Sequence, residues 1–490
     1  MSSPTQNAVQ MTMPVASGTY PSAADEPRKW VPSQFNARTT APDGTLVLWN
    51  SYSHAFSGFP PEARPQVEPL LHRRGFTAPP TGLTKYMADR GFIVPRGARE
   101  FERFQLRYGQ RHYRQDFLDL TLLSSEDCNF RCIYCYETFE RGTMEPWVRT
   151  ALIRMMEQRA PHLRRLTVSY FGGEPLLGFE AIAEVAPAFL KLAGEHGIRF
   201  SSGMTTNAYL LTPDTFAKLL QWNIKQFQVT IDGLPEDHDC RRMLKGGGPT
   251  FSRILENLKA IQTFPNEFGV MLRVNFDQAN ARRMREFIAL LGCFKEDARF
   301  KLFFYPIRQL GGSNDGSLKT CGDMDPQRDV LEVLGREMGM QVHRTVPNSR
   351  PFGEPCYANE PQHLTVGANG NLMKCTVMLD SNPRNIVGRL KEDGTMAIDI
   401  DRFARWCTPH FRDDSVCRKC FFLPLCGGAV CPVRRVVNNQ RCCPPEKLRI
   451  GNVLKKMWLM NNERANRYDM QREKLLRYTE LSPPGTQAHA

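Results

Sequence analysis

The chain has 490 residues, 15 cysteines, and 64 Lys and Arg against 51 Asp and Glu, for a net charge of +13. That length allows a large core and several domains, and an apolar content of 41% fits a globular α/β protein. No apolar run of about 18 residues and no basic-then-apolar opening appears, so neither a membrane span nor a secretory signal is expected. The cysteines are then expected in the cytoplasm, as metal or cluster ligands rather than as a disulfide framework.

Residues 1–42 are rich in Ser, Pro, Thr and Ala without periodicity, which predicts a disordered tail. Residues 43–115 read as a small α/β module. Its parts are a strand at "GTLVLWN", a helix from "PPEARPQVEPLLHRRG", a second helix at "TGLTKYMADRG" and a short strand "FIVP". A third helix, Ala98 to Tyr113, puts Phe101, Phe104 and Tyr108 on one face. Arg96, Arg99, Arg103, Arg107, Arg111 and Arg114 cluster there. Such charge suits nucleic acid, an acidic peptide or a solvated face. With no nucleic-acid motif beside it, nucleic acid is not the expected partner.

From Phe117 the pattern alternates strand and helix. The apolar runs are "FLDLTLLS", "LTVSYFGG", "IRFSSGMTTN", "FQVTIDG", "VMLRVNF" and "RFKLFFYPI", with helical stretches near 145–160, 179–195, 212–222, 251–263 and 281–293. Strands buried on both faces in such a series predict a parallel sheet curled into a partial (β/α)6 TIM-like barrel over 116–310. Polar or glycine-rich residues follow the strands, where α/β barrels place their chemistry. Residues 311–350 read as a linker. From about 351 to 445 the pattern dissolves into Pro, Gly and Cys, with nine of the fifteen cysteines between Cys356 and Cys443. A final helix is expected over Glu446 to Tyr478.

The first cysteine array, Cys128, Cys132 and Cys135 in "SSEDCNFRCIYCYE", directly follows the first barrel strand. Structural zinc usually wants four ligands. A cubane iron–sulfur cluster takes one thiolate per iron, so three thiolates leave one iron open for an outside ligand. A site-differentiated cluster and a zinc site are the competing readings of this spacing alone.

CxxxCxxC with Tyr134 before its last cysteine resembles the radical S-adenosylmethionine (radical SAM) enzymes. The resemblance implies a [4Fe–4S] cluster whose open iron binds S-adenosylmethionine, one-electron cleavage to a 5′-deoxyadenosyl radical, and hydrogen abstraction from substrate. Three further strand ends match. "FGGEP" is similar to the family's GGE motif, implying that backbone groups at Gly172 and Gly173, together with Glu174, receive the methionine ammonium. "TTN" closes with Asn207, and "TIDG…HDCRR" places Thr230 and Arg242 toward ribose or carboxylate. Taken singly each has a plain structural reading: a tight turn at the glycines, a loop cap at Asp232, a satisfied surface histidine at His238.

The later cysteines resemble the SPASM extension of peptide- and protein-modifying members. Cys356, Gly370 and Cys375 give CX13GX4C; Cys417, Cys420, Cys426 and Cys431 give CX2CX5CX4C; Cys442 and Cys443 follow. The resemblance implies two auxiliary clusters. One would be held by Cys417, Cys420, Cys426 and either Cys442 or Cys443. The other would be held by Cys356, Cys375 and Cys431, with its fourth ligand open between Cys407, Cys321 and a vacant iron. A zinc-stapled domain is the alternative. Cys240 and Cys293 fall outside every array and read as buried apolar residues.

The 43–115 module resembles the winged-helix-like leader-binding domain of ribosomal-peptide tailoring enzymes; a packing cap on the barrel is its other reading. The resulting expectation is a SPASM-type radical enzyme acting on a ribosomal precursor peptide or protein, fed by a flavodoxin or ferredoxin. Its alternatives are an anaerobic sulfatase-maturating enzyme and a zinc- or nucleic-acid-binding protein without radical activity.

Overall fold

The computed structural model describes residues 26–312, 314–318, 325–343, 356–379, 381–428 and 431–461. Its centre is six parallel strands: Phe117–Ser125 (β1), Arg165–Gly172 (β2), Arg199–Thr206 (β3), Ile224–Thr230 (β4), Gly269–Phe276 (β5) and Phe300–Pro306 (β6). They lie in the spatial order β6-β5-β4-β3-β2-β1, with helices Pro146–Arg159, Phe179–Glu195, Pro213–Gln221, Phe251–Gln262 and Met284–Leu290 between them in sequence. This is the expected partial barrel. Its helices bury stripes at helical spacing, as Ile182, Val185, Ala186, Phe189 and Ala193 show for Phe179–Glu195.

The strands depart from the reading in one respect. Only β1 is buried almost throughout; β2 to β6 largely alternate buried with half-buried residues. The reason is that the barrel does not close. One face of each strand packs under the helices, while Phe171, Thr205, Gln228, Arg273 and Tyr305 line a cavity at the strand ends. β1 is covered more fully because the sheet continues past it. It pairs in parallel with His363–Val366 (β7), which leads through antiparallel Asn371–Met373 (β8), Ile386–Leu390 (β9) and Met396–Ile398 (β10). The cysteine-rich region therefore grows out of the barrel sheet itself.

Two segments read as unstructured are ordered elements. Arg28–Pro32 and Asn36–Thr40, inside the supposed 1–42 tail, are strands. Asn36–Thr40 (NARTT) has no apolar alternation because it is an edge strand, its neighbour Leu46–Asn50 supplying the buried side chains. The N-terminal module is thus two three-stranded antiparallel sheets, 76–78/28–32/93–95 and 36–40/46–50/56–59, with helices Gly82–Asp89 and Glu100–His112. Within the supposed 311–350 linker, Asp325–Glu337 is a helix that buries Val330, Leu331 and Leu334 beside β6. The predicted first helix breaks into three short turns over 61–71, where Pro65 and Pro69 interrupt it. The final helix divides at Arg449 into Pro445–Leu448 and Ile450–Asn461; its expected continuation to 478 lies outside the described residues.

The module sits on the cysteine-rich region. Phe104 and Tyr108 form one apolar cluster with Phe35, Phe411, Cys417 and Leu423. Val47 and Trp49 form another with Phe422, Leu425, Cys426 and Leu454. Helix Ile450–Asn461 lies across the 36–40 strand, and Trp458 covers Phe56 and Gly58, so the two ends of the described chain close on each other. Phe104 is fully buried, its ring 5.0 Å from that of Phe411. Phe104→Ala is expected to cost about 3–5 kcal/mol, measured as a shift in the urea midpoint of the whole chain.

Candidate active site

β1 delivers its chain end to a loop that carries Cys128, Cys132 and Cys135. Within it Phe130–Cys132 forms a short antiparallel pair with Arg242–Leu244, in a register that sets Arg242 opposite Cys132. All three cysteines line one open cavity together with Gly172, Gly173, Thr205, Asn207, Thr230 and Arg242. Motifs from four strand ends are therefore brought to one place.

The paired glycines explain how closely they approach. Gly172 has φ +120°, and a Cβ there would overlap the carbonyl oxygen of Ser125. At Gly173 a Cβ would lie 2.5 Å from the Asp127 oxygen and 3.0 Å from Cys128 Cβ. They do more than make a tight turn: they let the β2 end lie directly under the cysteine loop. The Gly173 and Glu174 amides donate to Ser125 O (3.1 Å) and Asp127 O (3.0 Å) and hold it there.

Glu174 is placed differently from the expectation. It is 0% exposed and absent from the cavity wall. Its Oε1 accepts from Thr206 Oγ1 (2.7 Å) and Leu176 N (3.0 Å), and its Oε2 from Asn207 N (2.7 Å). A carboxylate at the start of the 175–178 turn folds back to cap it, and so ties the β2 end to the β3 end. Asn207 then points its amide at the loop, donating to Asn129 Oδ1 at 2.7 Å and lying 3.8 Å from Cys128 Sγ.

On the other side Tyr134 is a hub. Its hydroxyl donates to Asp232 Oδ2 and accepts from Arg242 Nη1 (2.9 Å) and Asn275 Nδ2 (3.1 Å). Asp232 Oδ1 accepts from Asn275 N at 2.8 Å. The Asp232 amide donates to His238 Nδ1 at 3.0 Å, which places the ring proton on Nε2. His238 is thus fully buried rather than a surface histidine, and Asp232 orders a network rather than a loop.

Burial dominates the electrostatics. It pushes the Cys128 and Cys132 thiols well up and Cys135 to about 12. Glu137 is raised to about 8 by burial, with Glu126 and Glu174 adding to it. Burial opposes the charge of Arg242, yet Cys132, Tyr134 and Asp232 together keep that guanidinium firmly protonated. Thiolates at such depth require a metal to share their charge.

Two observations fit this cavity to a cluster that carries an amino-acid ligand. Arg242 Nε, buried in the cavity wall, has no hydrogen-bond partner. Glu137 Oε2, in the same wall, has none either. A cation and an acid facing one cavity suit the two ends of a free amino acid.

Asn275, Arg273, Tyr305, Gln228 and Glu137 also line the cavity and were not singled out from the sequence. The signal was present: Arg273 and Asn275 in "VMLRVNF" stand at period two within an apolar strand. Arg273 donates to Asn275 Oδ1 (2.9 Å) and stacks 4.1 Å from the Tyr305 ring, so these three form one wall.

Seven of the later cysteines lie in two groups, none of them in the wall of this cavity. Cys356, Cys375 and Cys431 are electrostatic neighbours; Cys426 has Cys420, Cys417 and Cys443 as its neighbours. Cys407 is buried against the Lys374 ammonium. Cys321 lies outside the described residues. Cys240 and Cys293, read as buried, are exposed: each sits at the solvent side of a short helical turn.

Residues 122–291 match the family model described as Radical SAM superfamily. The serine-type anaerobic sulfatase-maturating enzyme of Klebsiella aerogenes is 24% identical over 349 residues, 64% of this chain and 80% of that enzyme. The radical SAM cyclopropyl synthase TigE of Paramaledivibacter caminithermalis is 22% identical over 215 residues, 39% of this chain and 44% of that enzyme. The chain therefore spans less than half the length of the synthase. Among solved structures, "Native anSMEcpe with bound AdoMet" superposes with a TM-score of 0.51 at 16% identity, over 74% of this chain and 99% of that one, a likeness of fold. Among the described residues no helix is long and apolar enough to cross a membrane.

Proposed function

The chain is a radical SAM enzyme, with its superfamily domain over residues 122–291, and we propose that it abstracts hydrogen from a ribosomally made peptide to form a crosslink or an oxidised side chain. The carrying observation is the single cavity in which Cys128, Cys132 and Cys135 meet Gly172, Gly173, Asn207, Thr230 and Arg242. When bound, a [4Fe–4S] cluster and S-adenosylmethionine supply a 5′-deoxyadenosyl radical through one-electron cleavage.

The protein's part is to hold and to shield. The three cysteines would hold the cluster, with Phe130 N–H aimed at Cys128 Sγ from 3.3 Å to favour the thiolate. Arg242 would face the methionine carboxylate, with Thr230 beside it toward the ribose. The backbone at Gly172–Gly173 would face the ammonium, while Glu174 keeps that turn in place from behind. Arg273, Asn275 and Tyr305 form the polar inner wall against which an extended peptide would lie. Arg242→Lys keeps a charge but loses the planar fork. It is expected to weaken S-adenosylmethionine binding by about tenfold, read by equilibrium dialysis on reconstituted protein.

The later cysteines fit two auxiliary clusters, and a cytoplasmic flavodoxin or ferredoxin is the proposed electron source. A second reading, oxidation of a Cys or Ser in a sulfatase, is favoured by the similarity across 349 residues to a sulfatase-maturating enzyme. Co-expression with a short precursor peptide from the same gene neighbourhood and, separately, with a sulfatase, followed by mass spectrometry, distinguishes the two. A mass change in the precursor is expected. A change confined to the sulfatase would replace the peptide reading with the second one.

A further inference from the structure

We propose that the adjacent thiols Cys442 and Cys443 are divided between the two auxiliary sites: Cys443 completes the set Cys417, Cys420 and Cys426, and Cys442 completes the set Cys356, Cys375 and Cys431. The inference rests on the reading above that these cysteines hold iron–sulfur clusters, each normally closed by four thiolates.

The path of the chain carries it. Helix Pro432–Asn438 begins directly after Cys431 and rises about 10 Å over its length. It stops at Asn439, whose left-handed φ of 52° reverses the chain, and the Gln440 amide donates to Arg434 O at 2.9 Å as the turn closes. Residues 440–443 form neither helix nor strand. Their contacts, Arg441 on Asp414 and Cys442 on Cys431, bring the chain back toward the helix start.

Arg441 and Cys443 both lie beside the Cys417, Cys420 and Cys426 set. Arg441 makes a two-pronged pair with Asp414 (Nε–Oδ2 and Nη2–Oδ1, both 2.8 Å). Asp414 also accepts from the Cys417 amide at 3.1 Å, so Arg441 is anchored beside the first cysteine of that set. Cys443 Sγ lies 3.5 Å from Lys447 Nζ, an ammonium that also reaches the Cys420 sulfur. Cys443 is also a neighbour of Cys426. Cys442 lies against Cys431, whose backbone N–H donates to its sulfur.

Cys407, the other described candidate, is held by a side chain of the same neighbourhood. Its sulfur meets Lys374, whose ammonium is fixed by the carbonyls of Glu360 and His363, both at 2.6 Å. With Cys442 as fourth ligand, neither auxiliary cluster keeps an open iron for a substrate thiol. Holding the peptide then falls to the barrel cavity.

The test uses the full chain, reconstituted anaerobically and treated with iodoacetamide before digestion and mass spectrometry. Cys442 and Cys443 are both expected to label at least about tenfold more slowly than in the same protein stripped of iron by a chelator. Cys442→Ala and Cys443→Ala are expected to retain about twelve irons per chain, and each to open a different cluster. Added cyanide should then shift one electron paramagnetic resonance signal in the first variant, a different one in the second, and neither in the wild type. Rapid labelling of Cys442 in iron-loaded wild type, or perturbation of the same signal by both variants, overturns the division and leaves the radical SAM reading standing. A chain that binds no iron–sulfur cluster overturns both.

Discussion

Cys128→Ala is expected to abolish formation of 5′-deoxyadenosine by the anaerobically reconstituted, reduced enzyme, and to lower its iron content by about four per chain. This assay reads uncoupled cleavage of S-adenosylmethionine and so needs no identified peptide. The thiol is 7% exposed, faces the Phe130 amide and sits against the Asn207 carboxamide. Two thiolates remaining from a set of three cannot retain a cluster that already leaves one iron to its substrate. The proposed auxiliary sites use separate cysteines, so on that reading the variant should keep the rest of its iron and fold with an unchanged far-ultraviolet spectrum. If Cys128→Ala produced 5′-deoxyadenosine at the wild-type rate, the assignment of the active loop would be wrong.

Gly172→Ala is expected to be nearly as damaging by a different route. The residue occupies φ +120°, a conformation that an L side chain rarely adopts, and its Cβ would overlap Ser125 O at the β1 end. Strain and enforced displacement together are expected to cost about 2–4 kcal/mol. Because the displaced element is the base of the cysteine loop, loss of iron should accompany loss of stability. Thermal unfolding of the stripped protein measures the first, and iron content after reconstitution the second. Gly142→Ala, where an added methyl meets nothing within 4 Å, is the matched control and is expected to leave both unchanged. Equal behaviour of the two variants would show that the close approach at Gly172 does not matter.

The parts of the site legible in the sequence were those written in short local spacings. The cysteine loop, the glycine pair, Asn207, and the Thr230–Arg242 segment each follow a strand, and a parallel barrel gathers strand ends by construction. What escaped depended on partners far along the chain. β7 pairs with β1 across more than two hundred residues, and nothing local in "HLTV" announces an eleventh-hour return to the barrel. "NARTT" carries no apolar alternation because its neighbour supplies the core. Asp325–Glu337 carries Val330, Leu331 and Leu334 at helical spacing, but no following strand marks it as part of the barrel rhythm. Glu174 was legible as important but not in its direction. Only the folded arrangement shows its carboxylate turned toward Thr206 and Asn207. Arg273 and Asn275 were hidden by reading the strands as buried on both faces, which an open barrel contradicts.

The meeting of the chain's two ends has a consequence for how the protein is made. Val47 and Trp49 are buried against Leu425 and Leu454, and the 36–40 strand lies under helix Ile450–Asn461. During synthesis the N-terminal sheets emerge first, yet their apolar side remains bare until some four hundred further residues have left the ribosome. The barrel can assemble behind them as it is translated, but the cysteine-rich region and the N-terminal module have to settle together, last.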